Sequence, residues 1–375
     1  MTVMPAANAP DRPKAPLGAL LPGLAILMVA LAIACNGGKG GGTPSPGVGT
    51  PAASPGADGT APAGSPGCPA DTGVPPQEGG AGGLSGRIVF VRLVLGCQPE
   101  VYIMNADGSG AANLSAHPAL DDEPDLSPDG TKIVFMSTRG EEGKTFLYIV
   151  NVDGSGVRQL SEGVGGDVSP RWSPDGSRIA FSRNGSLTVI NADGSGDPQT
   201  VMAAELSASA EPCRAGAFLG GWSPDGKRLT YYSAALAPGA ASRYWVCVID
   251  ADGSGLEVLV EEPAGGVHGE PVWSPDGTKI VYRSGRGEGC AAAGTTPCNY
   301  EIYLLDLDSG EETNLTDHPS LDIEPGWSPD GEWIVFASNR EDPNFDLYAM
   351  RPDGSDVRRL LDDPGAKDSY PGWVR

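Results

Sequence analysis

Trp172-Ser173-Pro174-Asp175-Gly176-Ser177-Arg178-Ile179-Ala180-Phe181 is the stretch on which the fold turns. Its first half recurs as Trp222 to Gly226, Trp273 to Gly277 and Trp327 to Gly331. Leu126-Ser127-Pro128-Asp129-Gly130 is the same unit with leucine in the tryptophan place. The final glycines fall at 130, 176, 226, 277 and 331, so the intervals are 46, 50, 51 and 54 residues. In Ser-Pro-Asp-Gly the proline presets φ at the second turn position, and serine first with glycine fourth suits a type I turn. A β-branched and aromatic run follows each glycine, as in Lys132-Ile133-Val134-Phe135 or Lys279-Ile280-Val281-Tyr282. After a variable loop comes a second run, such as Leu147-Tyr148-Ile149-Val150. A turn like Asn151-Val152-Asp153-Gly154-Ser155-Gly156 then leads into a short strand. Each repeat therefore predicts four antiparallel strands. Its length is that of a propeller blade, whose radial packing hides the sheet edges.

The two ends of the repeat array predict how the ring closes. Arg87-Ile88-Val89-Phe90 copies the strand after the turn with no strand before it. Tyr370-Pro371-Gly372-Trp373-Val374 copies the strand before the turn, as in Glu324-Pro325-Gly326-Trp327. The expectation is an all-β, six-bladed β-propeller over residues 84–375, closed by the C-terminal strand pairing with the N-terminal blade. The Trp-Ser-Pro-Asp-Gly unit, the Ile-Val/Ala-Phe strand and the Leu-Tyr run before Asp-Gly-Ser resemble the TolB-type, WD-repeat-like β-propeller family. That resemblance spans 87–375 and implies the propeller fold.

The N-terminal residues read as a targeting segment. Arg12 and Lys14 precede an apolar run from Leu17 to Ala34, ending Leu31-Ala32-Ile33-Ala34-Cys35. A positive flank, an apolar core and small residues before a break describe a secretory signal. Small residues directly before a cysteine resemble a bacterial lipobox, which implies lipidation at Cys35 and a signal peptide over 1–34. An uncleaved anchor and a signal cut elsewhere are the alternatives. Residues 35–83 are almost all Gly, Pro, Ala, Ser and Thr. Such a stretch cannot bury enough surface to offset its chain entropy, so a disordered tether is expected, with a typical span of ~40 Å. These readings place the protein outside the cytoplasm, held to a membrane by its lipid alone. It is expected to be a monomer in the periplasm or at the cell surface.

Composition narrows the partners. The chain of 375 residues has 55 glycines, 35 prolines and a formal net charge of −23. So acidic a chain repels phosphate backbones, which excludes nucleic acid and favours cations, basic peptides or basic protein faces. Six cysteines remain besides Cys35. An even number in a secreted context implies disulfides. The pairing expected is Cys290 with Cys298 in one loop, Cys213 with Cys247 in one blade, and so Cys68 with Cys97.

No Gly-x-Ser-x-Gly elbow, P-loop, His-Glu-x-x-His or Cys-x-x-Cys occurs, and no catalytic residue or metal site is assigned. His117-Pro118 and His318-Pro319 occupy equivalent loops and read as structural. The candidates for ligand binding are polar residues leading into the strand before each turn. Asp121, Asp167, His268, Asp322 and Asp368 stand three residues before a proline, and Glu123, Glu270 and Glu324 stand one before it. In a closed ring they are expected to converge on one mouth of the central channel. There they form either an acidic funnel for a basic peptide or cation, with calcium the one cofactor left open, or simple caps of loop amides. The favoured function is a non-catalytic protein- or peptide-binding or scaffolding module of the cell envelope. The alternative is an envelope hydrolase or lyase acting on carbohydrate through paired carboxylates at the mouth.

Overall fold

In a computed structural model of the chain, the structure describes residues 83–94, 96–205, 211–235, 243–261, 267–285, 299–341, 343–363 and 365–374. They form six four-stranded antiparallel sheets. Blade 1 runs Ala366–Val374, Arg87–Val94, Glu100–Asn105, Ala112–Asn113 from the channel outward, so its innermost strand is the last in sequence. Blades 2 to 6 begin at the channel with Asp121–Leu126, Asp167–Trp172, Gly216–Trp222, Val267–Trp273 and Asp322–Trp327. Successive innermost strands touch around the whole ring, including Ala366–Val374 against both Asp322–Trp327 and Asp121–Leu126.

The residues fold this way because both faces of the second and third strands are buried. Six apolar clusters fill the six gaps between blades. In blade 2, Ile133 and Phe135 pack toward blade 1 while Val134 packs toward blade 3. Alternate side chains feed opposite gaps, so these strands read as continuous apolar runs. The Ser-Pro-Asp-Gly connectors close as expected, with Gly130, Gly176, Gly226, Gly277 and Gly331 at φ of 68–77°. In each, the aspartate carboxylate accepts the serine hydroxyl, for instance Ser173 Oγ to Asp175 Oδ1 at 2.6 Å. The Asn-x-Asp-Gly turns are held by the same chemistry, with Asp153 accepting the Ser155 amide and hydroxyl.

Cys213 and Cys247 form the expected disulfide in blade 4. Cys97 is also disulfide-bonded. Cys68, Cys290 and Cys298 lie outside the described residues, as do Cys35, the apolar run 17–34 and the stretch 36–82. Among the described residues no helix is long and apolar enough to cross a membrane.

Candidate functional site

The innermost strands are bulged, and the bulges decide which side chains meet the channel. All six lose register just before the turn, and five of them carry a proline there. In those five the residue before the proline takes a left-handed backbone: Glu123, Ser169, Glu270, Glu324 and Tyr370, at φ of 50–56°. A non-glycine residue there costs about 1–2 kcal/mol and persists only where its surroundings compensate. Here the compensation is circumferential. The Ser169 amide donates to the Glu123 carboxylate at 2.5 Å, the Glu324 amide to Glu270 at 3.1 Å, and the Tyr370 amide to Glu324 at 2.6 Å. Each glutamate thus caps the strained amide of the next blade.

The other predicted mouth residues do not line the channel with them. Asp121, Asp167, Asp322 and Asp368 are at most 1% exposed and each meets an arginine of its own blade: Arg139, Arg183, Arg340 and Arg92. The Asp368–Arg92 pair is bidentate at 2.8 and 2.8 Å, and Asp167–Arg183 at 2.6 and 2.7 Å. The guanidinium groups also lie over blade aromatics, as Arg340 does 5.1 Å from the ring centres of Phe336 and Tyr348. Burial pushes the Asp121 and Asp368 carboxyls upward, against the pull of their arginines. Two blades depart from this scheme. In blade 5, His268 is fully buried and meets the edge of Tyr282. In blade 4 the equivalent residue is Ala217, close to the disulfide-bonded Cys213. His117 and His318 occupy twin loops, where Nδ1 accepts the amides of Ala119 and Ser320 and their own amides donate to Glu100 and Glu301.

Several residues at the channel were not among the sequence candidates: Asp125, Arg171 and Tyr370 line its cavity, and Asp122, Arg283 and Lys367 are charged neighbours of Glu324 and Glu270. Arg283 pairs with Glu270 at 3.3 Å. Asp125 accepts the Trp172 amide at 2.7 Å, and burial raises its carboxyl to about 6. A cavity of about 300 Å³ opens at the Ser-Pro-Asp-Gly end of the channel. Asp125, Arg171, Glu270, Glu324 and Tyr370 line it, with Trp172, Trp222, Trp273, Trp327 and Trp373 around its wall. Among the described residues no group of three or more His, Cys, Asp or Glu is placed to hold a metal ion.

The channel acids should make folding sensitive to pH. Burial first, and then the Glu270 carboxylate, raise the Glu324 carboxyl to about 8; Lys367 opposes this and Asp122 adds to it. Asp122 is raised to about 8 by burial and by neighbouring Glu123. A carboxyl with its folded pKa above its unfolded value of about 4.3 contributes stability fully below that value. That contribution is lost as pH rises toward 8, at no more than about 1.4 kcal/mol per pH unit for one group. Urea titrations of the wild type at pH 5 to 8 should therefore show falling stability, and Glu324→Gln should flatten the fall. An unchanged slope in that variant would place the titrating group elsewhere.

Comparison with known proteins fits this architecture. Residues 85–215 and 221–373 match the TolB beta propeller domain family, PD40. The chain is 36% identical over 101 residues to the uncharacterized protein Atu1656 of Agrobacterium fabrum, covering 27% of this chain and 29% of that one. It is 28% identical over 160 residues to the uncharacterized peptidase YuxL of Bacillus subtilis, covering 34% of this chain and 23% of that one. The chain thus spans less than a third of the length of either relative. Among solved structures, TolB from Acinetobacter baumannii superposes with a TM-score of 0.60 at 20% identity, over 79% of this chain and 68% of that one. With the repeat, the ring closure and the family match over 85–215 and 221–373 in agreement, the chain belongs to the TolB β-propeller domain family.

Proposed function

We propose that the protein is a non-catalytic binding propeller of the cell envelope, whose channel cavity receives a basic segment of a protein partner. The observation that carries this reading is the use made of the channel carboxylates. An acid/base pair must present free oxygens to a substrate on either side of the bond it cleaves. Here one oxygen of each of Glu123, Glu270 and Glu324 is taken by a backbone amide of the next blade, and the second oxygen of Glu270 by Arg283. What such a cavity offers is carboxyl oxygens inside an aromatic wall, with a negative potential that grows as Asp125 and then Glu324 ionise, which suits lysine or arginine side chains. The proposed setting follows from the N-terminal reading: a signal peptide over 1–34, a lipid on Cys35, and a tether over 35–83 carrying a monomeric propeller away from the membrane.

Five of the seven tryptophans of the chain line the cavity, so occupancy can be read from intrinsic fluorescence. Penta-lysine added to the full chain should change the emission, with an affinity that falls as salt rises. Penta-glutamate should have no effect, and a Glu324→Gln/Asp125→Asn variant should bind at least about tenfold more weakly. A response equal in wild type and variant would remove the cavity as the site. Turnover of an envelope glycan or peptide, lost in the same variant, would replace this reading with the hydrolase or lyase.

A further inference from the structure

A second surface lies on the outer part of the same face, in the groove between blades 2 and 3. The position that opens the apolar run of each second strand, two residues after the turn glycine in blades 2 to 6, is occupied in order by Arg87, Lys132, Arg178, Arg228, Lys279 and Trp333. Where it is arginine, the side chain crosses to the next blade. Arg87 Nη2 donates to the Gly130 carbonyl at 2.6 Å, and Arg178 Nη2 to the Gly226 carbonyl at 3.2 Å. The Arg178 guanidinium lies 4.7 Å from the ring centre of Trp222, and that of Arg228 lies 4.9 Å from Trp273. Between blades 3 and 4 the fold thus places a guanidinium between a turn-glycine carbonyl and a tryptophan face, and Arg87 and Arg228 each make one of these two contacts in their own gaps.

Between blades 2 and 3 that guanidinium is missing. Lys132 is a point charge on a flexible stem and cannot bridge a carbonyl and a ring as a planar fork does. It turns back onto its own blade, where Nζ donates to Asn151 Oδ1 at 2.9 Å. A groove of about 780 Å³ opens beside it, lined by Trp172, Gly176, Asp129, Asp175 and Arg158. The Asp175 carboxyl is pushed down to about 2 by the Ser173 hydroxyl and by the Ser177 amide and hydroxyl. Asp129 is lowered in the same way by Ser127 and Thr131. Both carboxylates therefore stay ionised at any physiological pH.

We infer that this groove is a docking site for an arginine side chain of a protein partner, taking the place that Arg178 fills one blade further on. The guanidinium would donate to the Gly176 carbonyl, stack on the Trp172 face and lie near the carboxylates of Asp129 and Asp175. The site is distinct from the channel cavity, although Trp172 borders both.

The test uses the full chain labelled with ¹⁵N, observing the Trp172 indole and Gly176 amide signals. The probes are Gly-Gly-Arg-Gly-Gly and its lysine and citrulline analogues. The arginine peptide should shift both signals in a saturable way. The lysine analogue should bind roughly two- to fivefold more weakly, because an ammonium cannot meet the carbonyl and the ring together as a planar fork does, and the neutral citrulline analogue should not bind. Lys132→Arg supplies the guanidinium from within and should abolish binding. It repeats a residue the fold already carries in three other blades, so it should remain folded. Glu324→Gln, which tests the channel cavity, should leave these shifts unchanged. Equal binding of arginine and citrulline peptides, or binding that survives Lys132→Arg, would overturn the inference.

Discussion

Replacing Asp322 by alanine should destabilise the propeller by about 3–5 kcal/mol, the cost of leaving one member of a buried ion pair without its partner. Asp322 is fully buried, and Arg340 is held at 2.9 and 3.0 Å from its two carboxylate oxygens. Arg340 cannot shed its charge, since a guanidinium stays protonated throughout the accessible pH range. It also cannot swing away cheaply, because Phe336 and Tyr348 flank it and Ser338 Oγ accepts from its Nε at 3.0 Å. The same reasoning covers Asp121 with Arg139. Restoring neutrality should recover much of the loss, so Asp322→Leu/Arg340→Met should lie far closer to wild type than Asp322→Ala alone. Urea unfolding of the three proteins measures this directly. A loss below about 1 kcal/mol in Asp322→Ala, accompanied by weaker binding of a basic peptide, would instead make Asp322 a ligand-binding group.

These aspartates also show how far the sequence could be read. The blades were legible because every signal for them is local: the Ser-Pro-Asp-Gly turn, the apolar run after it and the Asp-Gly turn beyond. Ring closure was legible because Arg87–Val94 lacked the strand that Ala366–Val374 supplies. The direction of side chains in the innermost strands was not legible. On an unbroken strand Asp121 and Glu123, two residues apart, share a face. The bulge between Asp122 and Asp125 breaks that alternation, turning Glu123 into the channel while Asp121 meets Arg139 inside the blade. A signal for the arginines did exist. Arg139 and Arg340 follow Phe135 and Phe336 by four residues, and Arg92 and Arg183 follow Phe90 and Phe181 by two. Its meaning depends on cross-strand register, which no single strand displays. The bulge left a trace as well, in the proline that follows Glu123, Ser169, Glu270, Glu324 and Tyr370 alike. A residue before proline avoids the right-handed helical region, but that alone does not select the left-handed one.

Removing residues 366–375 should have the largest effect of all, eliminating cooperative folding instead of lowering its midpoint. Ala366–Val374 is the innermost strand of blade 1, and it contacts blades 2 and 6 as well as its own second strand. Without it, Arg87–Val94 loses its partner on the channel side and presents an unpaired apolar edge, the condition that closed folds exist to avoid. Arg92, 4% exposed, loses the bidentate carboxylate of Asp368 and keeps only the looser contact with Asp363 at 3.7 Å, so a buried charge loses most of its compensation. The cluster between blades 6 and 1 loses Trp373, and with it goes the bond from its indole N–H to the Ser85 carbonyl at 2.9 Å. The Glu324 carboxylate also loses the Tyr370 amide that it caps. These losses fall on one blade and both of its neighbours, so they should combine with the open edge rather than remain local. Adding a synthetic peptide of residues 364–375 in trans discriminates the mechanism. If closure is the defect, the peptide should restore a cooperative thermal transition whose midpoint rises with peptide concentration, as binding to the folded state alone requires. A truncated chain that already melts cooperatively near the wild-type midpoint would show instead that five complete blades hold the ring without the sixth.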